Sequence, residues 1–207
     1  MTERRHWLEL ALTDPNVTIT SRSLLSLRIQ CLGVAASAAS SLVLWENETT
    51  EQKAWYPQAF MRGSVAIVMS AFALEAAINE AATMLRMDDQ AFAGIEMLPP
   101  LKKADEIAKL MGFAKLRRGD KICQHARLLY RLRSGLAHGR AEWSDEVKTH
   151  ATLSEEVSSL GVSLSPFMSP NDKPFPVGCM SGAMALWAVD AARNYITAYY
   201  AAACIHG

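Results

Sequence analysis

The sequence predicts an all-α fold, an antiparallel bundle of four to five main helices with an irregular segment before the last helix. Apolar residues recur at spacings of three and four along most of the chain, and no stretch of any length alternates as a strand does. Half of the 207 residues are hydrophobic and 20% are charged, which is typical of globular proteins. We take residues 1–207 as a single domain, with 1–20 as an N-terminal extension and 140–178 as an irregular insertion.

The first two predicted helices lie in the most apolar part of the chain. Ser21 or Ser23 can cap a helix that runs to about Trp45, and Pro57 suits the first turn of a second helix from about Tyr56 to Met87. The first apolar stretch is short and rich in Ala and Ser, and the second contains charged residues, so we expect core helices and not membrane spans. The N-terminus also lacks a secretory signal, which predicts a cytoplasmic protein with no membrane segment.

The middle of the chain predicts a connection followed by a short helix. Residues Asp88–Gly94 read as the connection, and Pro99 and Pro100 open a helix that ends by Gly112. Its charged residues, which include Lys103, are expected to form a solvated face.

A further helix is predicted from about Lys121 to Ala137. Its leucines fall at the spacings of a face buried against a bundle, namely Leu128, Leu129, Leu132 and Leu136. Gly139 suits the left-handed position beyond the end of this helix. After it, the prolines and serines of 140–178 predict irregular structure with a short helix at Leu153–Leu160, and a last helix follows over Cys179–Cys204. A long irregular segment in a compact domain often carries function or lies over a site.

Charge and cysteine content exclude several classes of site. The 21 basic residues balance the 21 acidic ones, so a nucleic-acid partner would have to be held by a local basic cluster. The four cysteines are scattered, and His125 and His150 lack partners at metal-ligand spacing, so we predict neither a metal nor a cofactor. Glu75 and Asn79 share a helix face, either as the polar lining of a cleft or as a polar patch between packed helices.

A local basic cluster does exist, over residues 121–140. It contains Arg127, Arg131, Arg133, Arg140, His125 and His138. In a continuous helix Arg133 and His138 would lie about 140° apart and would not meet. If the helix ends near Ala137 and Gly139 turns the chain, the imidazole can swing toward Arg133, and Gly135 leaves room for a ligand or a partner backbone.

An Arg and a His together suffice for one kind of RNA cleavage that needs no metal. A histidine with a pKa of about 6.5 can exchange a proton with the ribose 2′-hydroxyl or with the leaving oxygen. An arginine can hold the phosphate and stabilise charge in the transition state. The same spacing also arises without function, because both residue types stabilise the C-terminus of a helix.

The stretch from Leu129 to Gly139, with Arg133, Ser134 and His138, resembles the signature of the HEPN superfamily. In these proteins an Arg, a polar residue and a His close one helix of a four- to five-helix bundle. Residues Ser70–Asn79 look like the long second helix of such proteins, and Cys179–Cys204 look like their terminal helix. The resemblance covers the chain from about Arg62 to its end.

The resemblance implies a metal-independent endoribonuclease that acts on single-stranded RNA as a homodimer. It also implies a prokaryotic toxin or defence system, with an antitoxin or a nucleotidyltransferase as partner. Arg133 and His138 would be catalytic, and Ser134, Arg131 and Arg140 would contact substrate. Ser134 stands where the family more often has Asn, Asp or His. Arg140 stands where toxins silenced by nucleotide transfer have Tyr, so we do not predict that control. The alternative is a non-catalytic HEPN-like module for dimerisation or for ligand or protein binding.

Overall fold

A computed structural model of the chain describes residues 26–48, 52–137, 148–169 and 173–205. Over these ranges the protein is helical and contains no strand, which confirms the predicted all-α class. The described helices are α1 (Leu27–Glu48), α2 (Gln52–Met84), α3 (Asp89–Ala93), α4 (Pro100–Met111), α5 (Lys121–Ala137), α6 (Lys148–Ser159) and α7 (Gly182–Ala202). A turn over Pro174–Gly178, in which the backbone of Phe175 is extended, precedes α7.

Helix α2 lies at the centre of the bundle and packs against α1, α4, α5 and α7. Ile67, Leu74 and Ile78 of α2 are almost fully buried, as are Leu129 and Leu132 of α5. Burying side chains of this size stabilises a fold by about 1.5–3 kcal/mol each, so the leucine spacing in α5 positions that helix firmly against α2.

Glu80 of α2 fixes the start of α1. Its carboxylate accepts hydrogen bonds from the Ser26 hydroxyl at 3.1 Å and from the Tyr200 hydroxyl at 3.5 Å, and it pairs with Arg28 Nε at 3.2 Å. The Ser26 hydroxyl also accepts from the backbone N–H of Ile29, which makes Ser26 the cap of α1. Because Ser26 begins α1 and Glu80 lies near the end of α2, these two helices are antiparallel.

The helix boundaries confirm most of the predicted elements. Helix α5 spans the predicted residues, and Gly112 beyond α4 adopts the left-handed conformation with φ of 78°. The predicted caps Ser21 and Ser23 lie outside the described residues, and Ser26 caps α1 instead.

Two segments differ from the prediction. The predicted connection at Asp88–Gly94 contains the short helix α3, because the Asp88 carboxylate accepts the free N–H groups of Gln90 and Ala91. The irregular segment contains a 12-residue helix, α6, that begins at Lys148 and so precedes the predicted Leu153–Leu160.

Lys103 was predicted on a solvated face and is instead buried, with 3% of its surface exposed. It lies four residues before Ile107, so it falls on the face of α4 that packs inward. Its ammonium donates to Asn79 Oδ1 at 3.1 Å and lies 5.9 Å from the centre of the Phe92 ring. Asn79 therefore belongs to a polar contact between packed helices, one of the two roles that the sequence left open.

Two helices are long and apolar enough to cross a membrane by length and composition, Leu27–Glu48 and Pro57–Met84. This differs from the expectation that neither stretch would qualify. In the structure 61% of the most apolar 18-residue stretch of Pro57–Met84 is buried. For the corresponding stretch of Leu27–Glu48 the buried share is only 22%. Helix α2 is thus a core helix, whereas α1 leaves much of its apolar surface uncovered.

Candidate functional site

The described part of the chain contains a cleft of about 960 Å³ that is bordered by residues of α2, α4, α5, α6 and α7. Five cationic residues and two acidic ones line it, namely Lys102, Arg118, Arg127, Arg131, Arg133, Glu75 and Asp105. The cleft is therefore locally positive in a chain whose formal net charge is zero. Local excess of one charge in a concave site attracts ligands of the opposite charge.

Arg133 and Ser134, two of the predicted site residues, both line the cleft. The Arg133 guanidinium carbon lies 5.3 Å from the centre of the Phe72 ring, and this contact holds the side chain against α2. Arg133 is half-buried and Ser134 is exposed. This turn of α5 thus brings a cation and a hydroxyl to the same wall of the cleft.

Arg131 also lines the cleft, and it forms an ion pair with Glu156 of α6. The prediction gave Arg131 a substrate-binding role. In the structure its guanidinium links α5 to α6, so one of its contacts is already made within the protein.

Gly135 was predicted to leave room for a ligand or a partner backbone, and in the structure it lines the cleft, while the position of its missing side chain faces other residues. A Cβ at this position would lie 2.8 Å from Phe175 Cζ and 3.1 Å from Leu153 Cδ1. Phe175 is itself held in place, because its N–H donates to the Ser154 hydroxyl at 3.1 Å. The space on the side where a Cβ would lie is therefore filled by Leu153 of α6 and by Phe175, and the cleft lies on another side of Gly135.

Two predicted site residues, His138 and Arg140, lie outside the described residues. The described part of α5 ends at Ala137, and Gly135 is the last of its residues in the cleft lining.

The structure adds a histidine that sequence reasoning did not assign to the site. His150 of α6 lines the same cleft as Arg133 and Ser134. Its ring meets the Phe175 ring edge-on, with the ring centres 5.0 Å apart. The signal was present in the sequence, since His150 precedes the buried Leu153 and Val157 by three and seven residues and so shares their helix face.

Two further titratable residues of the cleft, Cys123 and Tyr130, are poor candidates for a base or a nucleophile at neutral pH. Burial raises the pKa of the Cys123 thiol, with Asp120 and Asp105 adding to the effect, and burial also raises the pKa of the Tyr130 phenol. The Tyr130 hydroxyl donates to the Ala71 carbonyl at 3.3 Å. Both groups stay protonated, and Cys123 is not the activated thiolate that a cysteine nucleophile requires.

The two carboxylates of the cleft differ in their contacts. Asp105 pairs with Arg118 at 2.7 Å, whereas no ion pair or hydrogen bond of the Glu75 carboxylate is found within the described ranges. Glu75 thus takes the cleft-lining role that the sequence left open. Among the described residues, no group of three His, Cys, Asp or Glu side chains could hold a metal ion.

We compared the sequence with models of protein families and with curated proteins, and the structure with solved structures, and found no match in any of the three. What the cleft can do is therefore inferred from its own residues.

Proposed function

We propose that this protein is a metal-independent endoribonuclease of HEPN type that uses Arg133 and His138. The observation that supports the proposal is the position of Arg133 and Ser134 in a locally positive cleft of an otherwise neutral protein. Phosphate oxygens are the ligands that arginine binds best, through paired N–H donors in a fixed fork. A single strand of RNA presents such phosphates together with the 2′-hydroxyl that this chemistry needs.

In the proposed reaction Arg133 binds the scissile phosphate and stabilises its developing charge, while His138 exchanges a proton with the RNA. Ser134 contacts the substrate beside Arg133, and Arg131 and Arg140 contact neighbouring phosphates. The scheme requires no cofactor. We further propose that the protein is a homodimer in which two such sites face each other, and that it acts in the cytoplasm. Its role would be that of a toxin or defence protein with an antitoxin or nucleotidyltransferase partner.

The test is cleavage of assorted single-stranded RNAs in the presence of EDTA by the full chain and by Arg133→Ala and His138→Ala. We expect each substitution to lower the cleavage rate by about 100- to 10,000-fold, the usual contribution of such groups. Arg193→Ala is the matched control, because Arg193 lies on α7, is exposed and pairs with Asp190 outside the cleft lining. This control should cleave like wild type.

Equal cleavage by wild type and both site variants, or no cleavage of any RNA by wild type, would contradict the proposal. Loss of activity in Arg193→Ala would indicate a nonspecific effect of removing positive charge.

A second candidate is a non-catalytic HEPN-like module for dimerisation or for ligand or protein binding. The Arg131–Glu156 ion pair favours it, because that arginine already serves a contact between helices. Under this alternative, replacing both Arg133 and His138 by Ala alters dimer stability or partner binding in sedimentation and melting experiments, and RNA cleavage is not involved.

A further inference from the structure

We propose that His150 is a second proton-transfer residue of the cleft, so that RNA cleavage uses the imidazoles of both His138 and His150. The inference rests on the proposed function and adds a catalytic residue to it, one that lies on α6 and outside the Arg/His element of α5. Three observations carry it: where His150 lies, which of its ring nitrogens is buried, and how its ring is held.

His150 shares the cleft with Arg133 and Ser134, the residues that would hold the scissile phosphate. It is half-buried, so part of the residue remains accessible at the cleft surface. An imidazole in a positive cleft that binds phosphate is placed among the groups with which it could exchange protons.

Hydrogen bonds within the protein do not occupy the ring nitrogens of His150. Its Nδ1 is fully buried and has no hydrogen-bond partner in the described part of the chain. A buried histidine that only supports a fold normally satisfies its nitrogens with carbonyls or carboxylates. With Nδ1 enclosed, Nε2 is the ring nitrogen left to meet a ligand.

The ring is also held by packing rather than by polar contacts. It makes an edge-to-face contact with the Phe175 ring, and Phe175 packs against Gly135, the residue after Ser134. The absence of a side chain at Gly135 permits this close approach. A series of direct contacts thus links His150 to the turn of α5 that carries Arg133 and Ser134, which is the kind of support that a preorganised site requires.

In the proposed step the ribose 2′-hydroxyl gives its proton to one imidazole while its oxygen forms a bond to phosphorus. The bond from phosphorus to the 5′-oxygen breaks, and the 5′-oxygen takes a proton from the other, protonated imidazole. The products are a 2′,3′-cyclic phosphate and a free 5′-hydroxyl, and the two imidazoles have exchanged protonation states. No oxidant, reductant or further reactant is consumed.

The test compares cleavage by wild type, His150→Ala, His150→Phe and His125→Gln. Phenylalanine keeps the ring contact with Phe175 but cannot transfer a proton, so His150→Phe should melt like wild type and lose about 100- to 10,000-fold in rate. Added imidazole should restore part of the rate to His150→Ala. His125 lies against Trp187 and outside the cleft lining, so His125→Gln should cleave normally.

The dependence of rate on pH gives a second measurement. A reaction with one acid and one base gives a bell-shaped profile, and His150→Phe should lose one limb of it. The charged residues that share the cleft with His150 are Arg127, Arg131 and Arg133 of α5, Glu75 of α2, Lys102 and Asp105 of α4, and Arg118. Arginine and lysine stay protonated throughout about pH 5–8, so a limb that His150→Phe loses does not belong to them.

The outcomes separate this inference from the proposed function. If His150→Phe and His150→Ala cleave like wild type while Arg133→Ala does not, His150 transfers no proton and the endoribonuclease proposal stands. If the rate loss follows a loss of thermal stability and imidazole restores nothing, His150 has only a packing role and the inference is wrong. If wild type cleaves no RNA, both proposals fail.

Discussion

Helices α1 and α5 both pack on α2, yet the faces that they leave uncovered have opposite chemistry. The uncovered face of α5 carries basic and polar residues, including Arg127 and Ser134, and it borders the cleft. The uncovered face of α1 carries apolar residues instead, with Val34 47% exposed and Leu44 61% exposed. A groove of about 460 Å³ lies between α1 and α2, and Val34 lines it.

The comparison shows that an apolar helix face is not always a buried one. Helix α5 follows the usual rule of an apolar face inward and a polar face outward. Helix α1 does not, because small residues such as Ala35 and Ala39 fill its buried face while larger apolar residues lie outside. Large exposed apolar patches often mark interaction sites, whereas the basic face of α5 suits an anionic ligand.

The largest expected effect comes from a pair of leucines on α1. Leu42 is fully buried and Leu44, two residues later, is 61% exposed. We expect Leu42→Ala to lower the free energy of unfolding by about 2–5 kcal/mol, because it leaves a cavity in the core. Leu44→Ala should change it by less than about 0.5 kcal/mol. Urea denaturation of the full chain measures both, and a similar loss in the two variants would mean that the outer face of α1 is covered in solution.

The elements that the sequence predicted best are those with a strong apolar period. The leucines of α5 predicted Lys121–Ala137, which are the bounds in the structure. Helix α6 begins five residues before the predicted Leu153–Leu160, because Lys148, Thr149 and His150 carry no large aliphatic side chain that would mark its first turn. Five-residue α3 has no period to detect and depends on one capping carboxylate, that of Asp88.

The lining of the cleft was predictable only where it comes from one helix. Arg133, Ser134 and Arg131 lie close together in sequence, and the structure brings all three to the cleft. His150 comes from another helix, and its place beside them depends on how α6 packs on α5, which local spacing does not specify. The burial of Lys103 was missed because its charge outweighed its position on the inward face of α4.

A second pair of substitutions makes the same change on the two helices compared. A Cβ at Gly33 of α1 would meet nothing within 4 Å, whereas one at Gly135 of α5 would overlap the buried Phe175. We expect Gly33→Ala to raise the free energy of unfolding by about 0.5–1 kcal/mol, because alanine favours the helix. Gly135→Ala should lower it by about 1 kcal/mol, since the overlap outweighs that gain.

Thermal and urea unfolding of the two glycine variants, side by side, provide the measurement. Stabilisation by both substitutions would contradict the close contact between Gly135 and Phe175. Destabilisation by Gly33→Ala would show that a partner or another segment occupies the surface of α1.

The smallest expected effect concerns pH, and it separates the stability of the fold at acid pH from RNA cleavage in the cleft. Burial, assisted by Lys121, lowers the pKa of His125 below its ordinary value of 6.5. In the unfolded chain this histidine takes up a proton as the pH falls through 6.5, while in the folded protein it resists protonation. The unfolded state therefore binds more protons in that window, so stability is complete above pH 6.5 and declines below it.

Replacing His125 by Gln removes this difference in proton binding and should flatten the decline in unfolding free energy between pH 6.5 and pH 5. The matched variant is His150→Gln, which changes a residue of the cleft rather than one packed on Trp187. Urea denaturation at several pH values measures the free energy of unfolding, and an RNA cleavage assay measures activity. In His125→Gln the dependence of stability on pH should change while cleavage stays normal. An unchanged slope in His125→Gln would assign the acid response of stability to a different group.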